Sequence, residues 1–131
     1  MIGLDSNVLV RYLVQDDPAQ CARVDRLFER GIDGDRSFFI GTLVLCEAAW
    51  VLSSCYDIDR DGIVGAFAAV LTTAQFEIEH KELVRWALDS FAEKRGDFAD
   101  CLLGLVAREA GCDTTVTFDR GLRRNATFRL L

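Results

Sequence analysis

The chain has 131 residues, half of them hydrophobic, and a formal net charge of −6 at pH 7. Its length, its single proline and the absence of a linker-like stretch predict one domain over residues 1–131. The acidic balance argues against a general electrostatic nucleic-acid binder. Asp5 interrupts any signal-peptide pattern and Glu47 interrupts the longest apolar stretch, so we expect a cytoplasmic protein without a membrane span.

Apolar runs of strand type alternate with amphipathic runs of helix type along the whole chain. The helix starts are marked by capping residues, namely Ser6, Asp17, Thr42, Asp59 and Asp97. With their caps, the predicted elements are a strand at 1–4, helices at 6–15 and 17–31, a strand at 37–40, helices at 42–54 and 59–72, a strand at 76–78, helices at 80–94 and 97–111, and strands at 114–118 and 127–131.

This alternation predicts an α/β fold with a parallel sheet and helices on both faces. In open parallel sheets the functional site lies beyond the carboxyl ends of the strands. Asp5 and Asp119 each directly follow a predicted strand. Either residue alone is ordinary in a turn or cap, so their position matters only in combination with other acids.

Glu47 is the most informative of these other acids. It is the only charged residue between Arg36 and Asp57. Its helical neighbours are all apolar: Leu43, Val44, Trp50 and Val51. A buried carboxylate on such a helix is costly unless a cation meets it. We therefore predict a metal partner, with a solvent-facing position or a distant arginine as the alternative.

Asp97 and Asp100 open a predicted helix as D-F-A-D. Acids at a helix start are ordinary capping chemistry. Gly104, one turn later, favours a functional site, because a glycine inside a helix often marks a close approach. Oxygen-only ligands suit Mg²⁺ or Mn²⁺. The only histidine, His80, lies in a polar run, which leaves almost no base for a Ser-His-Asp or Cys-His site.

The last twelve residues carry four arginines and no acid. This basic edge fits either an RNA-facing rim beside an acidic pocket or a solvated surface that contacts nothing. Residues close to the candidate acids in sequence are the expected RNA-binding residues: Ser6, Asn7, Thr117 and Arg120.

Four stretches resemble PIN-domain proteins, and among them the VapC-type toxins of bacterial toxin–antitoxin pairs. They are LDSNVLVRYLVQDDP, EAAWVL, DFADCLLGLVAREAGC and TFD, and their order and spacing extend over nearly the whole chain, from Leu4 to Asp119. The resemblance implies a three-layer α/β/α sandwich with a mainly parallel central sheet, a metal-dependent endoribonuclease activity and a cognate antitoxin. It also implies that Asp5, Glu47, Asp100 and Asp119 are the family's acidic quartet, with Asp97 as a further acid.

Two alternatives to a nuclease remain open. A phosphoryl-accepting receiver domain also uses an aspartate pocket with Mg²⁺, but it needs a lysine near that pocket, and Lys81 and Lys94 lie in or near one helix. The second alternative is a non-catalytic PIN fold that acts only as a binding module.

We also predict a homodimer, because the helix around residues 64–71 suggests more apolar surface than one core needs; the residues are Val64, Phe67, Val70 and Leu71, with Trp50 nearby in sequence. The alternative is that these residues fill the core of the monomer.

Overall fold

A computed structural model describes residues 1–131, which form two compact units, residues 1–79 and residues 80–131. We call them the N-terminal unit and the C-terminal unit. None of the helices is both long and apolar enough to cross a membrane.

The N-terminal unit combines four helices with a three-stranded parallel sheet in the order β1-β2-β3. The central strand is buried, with Phe38 and Ile40 fully covered. In chain order the elements are β1 (Ile2–Gly3), α1 (Ser6–Val14), α2 (Pro18–Asp33), β2 (Phe38–Ile40), α3 (Thr42–Tyr56), α4 (Arg60–Thr72) and β3 (Phe76–Ile78).

Helix starts in this unit are set by carboxylates. Asp17 and Asp59 accept the backbone N–H groups of Gln20 and Gly62, as predicted. The predicted caps Ser6 and Thr42 are wrong by one residue, because Asp5 and Gly41 occupy the N-cap positions of α1 and α3.

A distant residue completes the start of α3. Gly41 has no side chain that can cap the helix, and Glu79, which follows β3, takes over that role. Its Oε1 accepts the Thr42 backbone N–H at 2.9 Å and the Thr42 hydroxyl at 2.8 Å. The start of α3 is therefore fixed by a contact across 37 positions of sequence.

The predicted end of α2 at Gly31 is also wrong, since the helix continues to Asp33. Gly31 is buried inside the helix, where a Cβ would overlap the ring of Phe38. A glycine that normally signals a helix end serves here to bring α2 close to β2.

The C-terminal unit has its own two-stranded parallel sheet, β4-β5. Helices α5 and α6 pack against each other, with Phe91 and Phe98 in edge-to-face contact. In chain order the elements are α5 (Lys81–Ala92), α6 (Phe98–Glu109), β4 (Thr115–Thr117), a short 3₁₀ helix (Arg120–Leu122) and β5 (Phe128–Leu130).

Gly104 explains how α6 meets β5. A Cβ at this position would overlap Thr127 Oγ1 and crowd the ring of Phe128. Thr127 is itself held in place, because its hydroxyl donates to Asn125 Oδ1 at 2.7 Å and both residues are buried. The close approach expected at Gly104 is therefore made by the chain itself, and Gly104 does not point to a ligand.

The α/β class with parallel strands is confirmed. Every strand pairing in both units is parallel, and helices separate the paired strands β1, β2 and β3 along the chain. Each predicted strand and each predicted helix is present, and the differences are confined to their ends.

Candidate active site

The C-terminal unit groups three aspartates by its local structure. Asp97 is the N-cap of α6, and its Oδ1 accepts the Asp100 backbone N–H at 2.8 Å. Asp119 follows β4 and caps the 3₁₀ helix, with Oδ1 accepting the Gly121 N–H at 2.8 Å. Each of these two carboxylates uses its Oδ1 for capping.

Asp100 lies in the first turn of α6, where the charges of both of these aspartates act on it. Partial burial raises the pKa of Asp100 to about 6, and the charges of Asp97 and Asp119 and a hydrogen bond with Asp97 act in the same direction. The charges of Asp97 and Asp119 thus repel an ionised Asp100, and protonating Asp100 relieves that repulsion. A bound cation would relieve it in the same way.

Two candidate RNA-binding residues flank Asp119. The Thr117 hydroxyl accepts the Asp119 backbone N–H at 3.0 Å, so this side chain helps to orient the turn that carries Asp119. Arg120 is exposed, and its guanidinium makes no hydrogen bond or ion pair within the chain. Arg120 is therefore available to an anionic ligand, as are the exposed Arg123, Arg124 and Arg129.

In the N-terminal unit, Asp5 follows β1 and caps α1. Its Oδ1 accepts the Ser6 backbone N–H at 2.8 Å, and the carboxylate is exposed. Ser6 is only 2% exposed, with its hydroxyl 3.5 Å from the same oxygen. Ser6 is thus placed to orient Asp5, whereas Asn7 is exposed to solvent.

The predicted burial of Glu47 is wrong. Its side chain lies on the exposed face of α3 together with Leu43 and Trp50, which are 85% and 65% exposed. Of the four apolar neighbours that suggested burial, Leu43 and Trp50 are exposed and Val44 and Val51 are half-buried, so desolvation does not require a metal at Glu47. What remains is an exposed carboxylate between two exposed apolar side chains on one helix face.

The predicted dimer surface also needs correction. Phe67, Val70 and Leu71 are buried in the core of the N-terminal unit, and Val64 is partly buried. Of the residues named for that surface, Trp50 alone is exposed.

One feature was missed by reading the sequence, a groove of about 370 Å³ between α1 and α2. Each wall is one face of a helix, and the periodicity of the sequence does reveal such a face. The sequence does not reveal that the two faces lie beside each other. The lining residues are Asn7, Val8, Arg11, Gln20, Arg23, Val24 and Leu27.

The donor chemistry of these acids fits a hard divalent cation. All five candidate ligands, Asp5, Glu47, Asp97, Asp100 and Asp119, offer carboxylate oxygens. No three His, Cys, Asp or Glu side chains converge closely enough in the structure to hold a metal ion together. The mutual repulsion at Asp100 is the structural feature that suits a cation.

A PIN domain family model matches residues 2–127. The chain belongs to the PIN domain family. It is similar to the VapC ribonuclease of Aquifex aeolicus (strain VF5), with 25% identity over 121 residues that cover 92% of this chain and 89% of the relative. Because the chain belongs to the PIN family, the alternative of a receiver domain is excluded.

Proposed function

We propose that this protein is a metal-dependent endoribonuclease that hydrolyses RNA phosphodiester bonds and acts as the toxin of a toxin–antitoxin pair. The proposal is supported by membership of the PIN family and by similarity to a protein named VapC ribonuclease. The observation that carries it is the trio Asp97, Asp100 and Asp119, in which partial burial of Asp100, together with the charges of Asp97 and Asp119, raises the pKa of Asp100 to about 6.

Asp97, Asp100 and Asp119 are proposed as ligands of Mg²⁺ or Mn²⁺. The resemblance to the family adds Asp5 and Glu47 to this set. When bound, the cation would supply an activated water and would screen charge on the phosphate.

The remaining roles fall to side chains around these ligands. Ser6 and Thr117 orient Asp5 and Asp119 through the contacts described above. Arg120 and Asn7, both exposed, are proposed to contact the RNA. A guanidinium is well suited to this because it binds phosphate oxygens in a bidentate geometry.

The expected products carry a 3′-hydroxyl and a 5′-phosphate. Attack by the RNA's own 2′-hydroxyl would leave a 2′,3′-cyclic phosphate, and that route usually relies on groups that titrate near neutral pH, such as histidine. The only histidine, His80, is exposed at the N-cap of α5. Asp100, whose pKa is about 6 without metal, is assigned to binding the cation and therefore not to this acid–base role. Hydrolysis by water needs no such residue, so a single 2′-deoxy substitution at the scissile nucleotide should slow cleavage only modestly.

The test is cleavage of a labelled single-stranded RNA by the purified protein with Mg²⁺, Mn²⁺ or EDTA. We expect cleavage with either cation, none in EDTA, and products that ligate at the 3′ end without phosphatase treatment. Asp5→Asn and Asp100→Asn should abolish cleavage while circular dichroism stays unchanged, because asparagine also suits a helix start. Cyclic phosphate ends, activity in EDTA or full activity of either variant would refute the mechanism.

A cognate antitoxin is the proposed protein partner. Inhibition of this cleavage by the product of a neighbouring short reading frame would support the toxin assignment. Failure of the wild-type protein to cleave any RNA with either metal, combined with tight binding to such a product, would instead favour a non-catalytic PIN module.

Homodimerisation remains a proposal, and Trp50 is the exposed residue of the predicted surface that supports it. Trp50 is a large apolar side chain, 65% exposed, and such side chains often become buried between copies. Light scattering at micromolar concentration should report a dimer for the wild type and a monomer for Trp50→Glu. A monomeric wild-type protein would contradict this assignment.

A further inference from the structure

The groove between α1 and α2 differs in charge from the chain as a whole. The protein carries a net charge of −6, yet no acidic residue lines this groove. The lining combines two arginines, Arg11 and Arg23, with the amides of Asn7 and Gln20. A polyanion binds an acidic protein most favourably where positively charged side chains have no acidic partner nearby.

The two arginines are not equivalent. Arg11 Nη1 donates to Asp16 Oδ1 at 3.0 Å and to the Tyr56 hydroxyl at 2.6 Å, and its Nε donates to Gln20 at 2.6 Å. Its charge is therefore largely offset by Asp16, and its role is to fix the groove wall. Arg23 is exposed and takes part in no hydrogen bond or ion pair within the chain, so its charge is available to a ligand.

The floor of the groove is apolar, formed by Val8, Val24 and Leu27. Gln20 and Leu27 are seven residues apart on α2, which corresponds to a length of about 10 Å along the helix. Asn7, which also lines the groove, is only two residues after Asp5, in the first turn of the helix that Asp5 caps. A ligand that lies in the groove would thus reach the start of α1, where one of the proposed metal ligands is located.

An apolar floor, an uncompensated arginine and two side-chain amides suit a nucleotide. The ribose and base can contact Val8, Val24 and Leu27, and Arg23 can bind a phosphate. The Asn7 amide and the Gln20 Nε2 group can pair with base edges, since Gln20 Oε1 already accepts from Arg11. We infer that this α1–α2 groove is a subsite for the single-stranded RNA next to the scissile phosphate, with Arg23 as its phosphate-binding residue. The inference rests on the proposed ribonuclease function.

The experiment measures RNA binding separately from cleavage. Fluorescence anisotropy with a labelled single-stranded RNA of about twelve nucleotides, in EDTA over a range of salt concentrations, reports affinity and its salt dependence. The variants are Arg23→Ala and Arg23→Glu. The matched control is Arg26→Ala, another exposed arginine of α2 that lies outside the groove.

Arg23→Ala should weaken binding about three- to tenfold, as expected for one charge-assisted contact. The salt slope should fall by about 0.7, the value for one phosphate contact on a single strand. Arg23→Glu should weaken binding further, and Arg26→Ala should stay close to wild type. With Mg²⁺, the Arg23 variants should show a raised KM with little change in kcat, because Arg23 is not among the proposed metal ligands.

Unchanged RNA affinity in both Arg23 variants, or an equal loss in the Arg26 control, would overturn the inference. The same holds if a labelled acidic amphipathic peptide binds in an Arg23-dependent manner while RNA binding does not depend on Arg23, since the groove would then be a protein-docking site. Failure of the proposed function is a different result, because a protein that cleaves no RNA with Mg²⁺ or Mn²⁺ can still be scored for binding in EDTA.

Discussion

Asp100 shows how a candidate metal ligand affects the stability of the metal-free protein. An aspartate in an unfolded chain has a pKa of about 3.9, whereas the folded protein raises the pKa of Asp100 to about 6. Between these values the folded state binds more protons than the unfolded state. The free energy of unfolding therefore falls as pH rises from about 4 to about 6, and it stays reduced above that range.

We predict that Asp100→Asn raises the melting temperature of the metal-free protein, and raises it more near pH 8 than near pH 5. Asparagine cannot ionise, so it removes the repulsion with Asp97 and Asp119. Thermal melts in EDTA would measure the effect. The exposed Asp89→Asn in α5 serves as the control and should show no such pH dependence. An equal shift for Asp100→Asn at both pH values would contradict the electrostatic explanation.

The sequence is a good guide to acids at element boundaries and a poor one to burial of a single side chain. Asp97 and Asp119 were placed correctly because a strand end or helix start is a local pattern. The predicted burial of Glu47 is wrong because apolar neighbours such as Leu43 and Trp50 do not reveal which face of the helix is covered by the rest of the protein. That depends on which elements pack against α3.

At the scale of elements, Glu79 illustrates a contact that local sequence cannot reveal. Replacing Glu79 by alanine leaves the first turn of α3 without its acceptor for Thr42. We predict that Glu79→Ala lowers the free energy of unfolding by about 1–2 kcal/mol, the usual cost of losing a cap. Urea denaturation would measure it. Glu77→Ala, an exposed position on β3, should have a small effect, and equal losses at the two positions would contradict the capping role.

Two helical glycines give a second prediction at this scale, with opposite signs. A Cβ at Gly104 would overlap Thr127, so Gly104→Ala should destabilise the protein by about 1–3 kcal/mol. At Gly65 in α4 nothing lies within 4 Å, so Gly65→Ala should stabilise it by about 0.5–1 kcal/mol. Both are read from chemical denaturation. A stabilising Gly104→Ala would mean that α6 and β5 do not pack as described.

Element order was predictable because capping and periodicity are local. Asp17 and Pro18 mark a helix start by their own chemistry, and α2 begins there. Its end was not predictable, because Gly31 stays helical in contact with Phe38 seven positions later in the chain. The packing of α2 against Phe38 therefore outweighed the low helix propensity of glycine.

For the whole molecule, the family match extends over both units, residues 2–127. The alternation of helices and strands was enough to predict the α/β class, since it depends on the number and order of elements. The groove between α1 and α2 was not predicted, because its lining joins positions from 7 to 27 that become neighbours only when the two helices pack.

Metal binding is the property of the whole molecule that tests the proposed function without measuring cleavage. A ligand that binds only the folded state stabilises it, by about 2.7 kcal/mol at one hundred times its Kd. We therefore predict that Mg²⁺ or Mn²⁺ raises the melting temperature of the wild-type protein. The increase should be larger near pH 8 than near pH 5, because a proton on Asp100 competes with the cation.

The variants give this prediction its specificity. Asp5→Asn in the N-terminal unit, and Asp100→Asn and Asp119→Asn in the C-terminal unit, should each reduce the metal-induced shift. Asp89→Asn should keep it, since this exposed acid of α5 is not a proposed ligand. Asp100→Asn is the most informative variant, because it should be more stable than the wild type in EDTA and gain less from Mg²⁺. A shift as large in this variant as in the wild type would remove Asp100 from the proposed metal site.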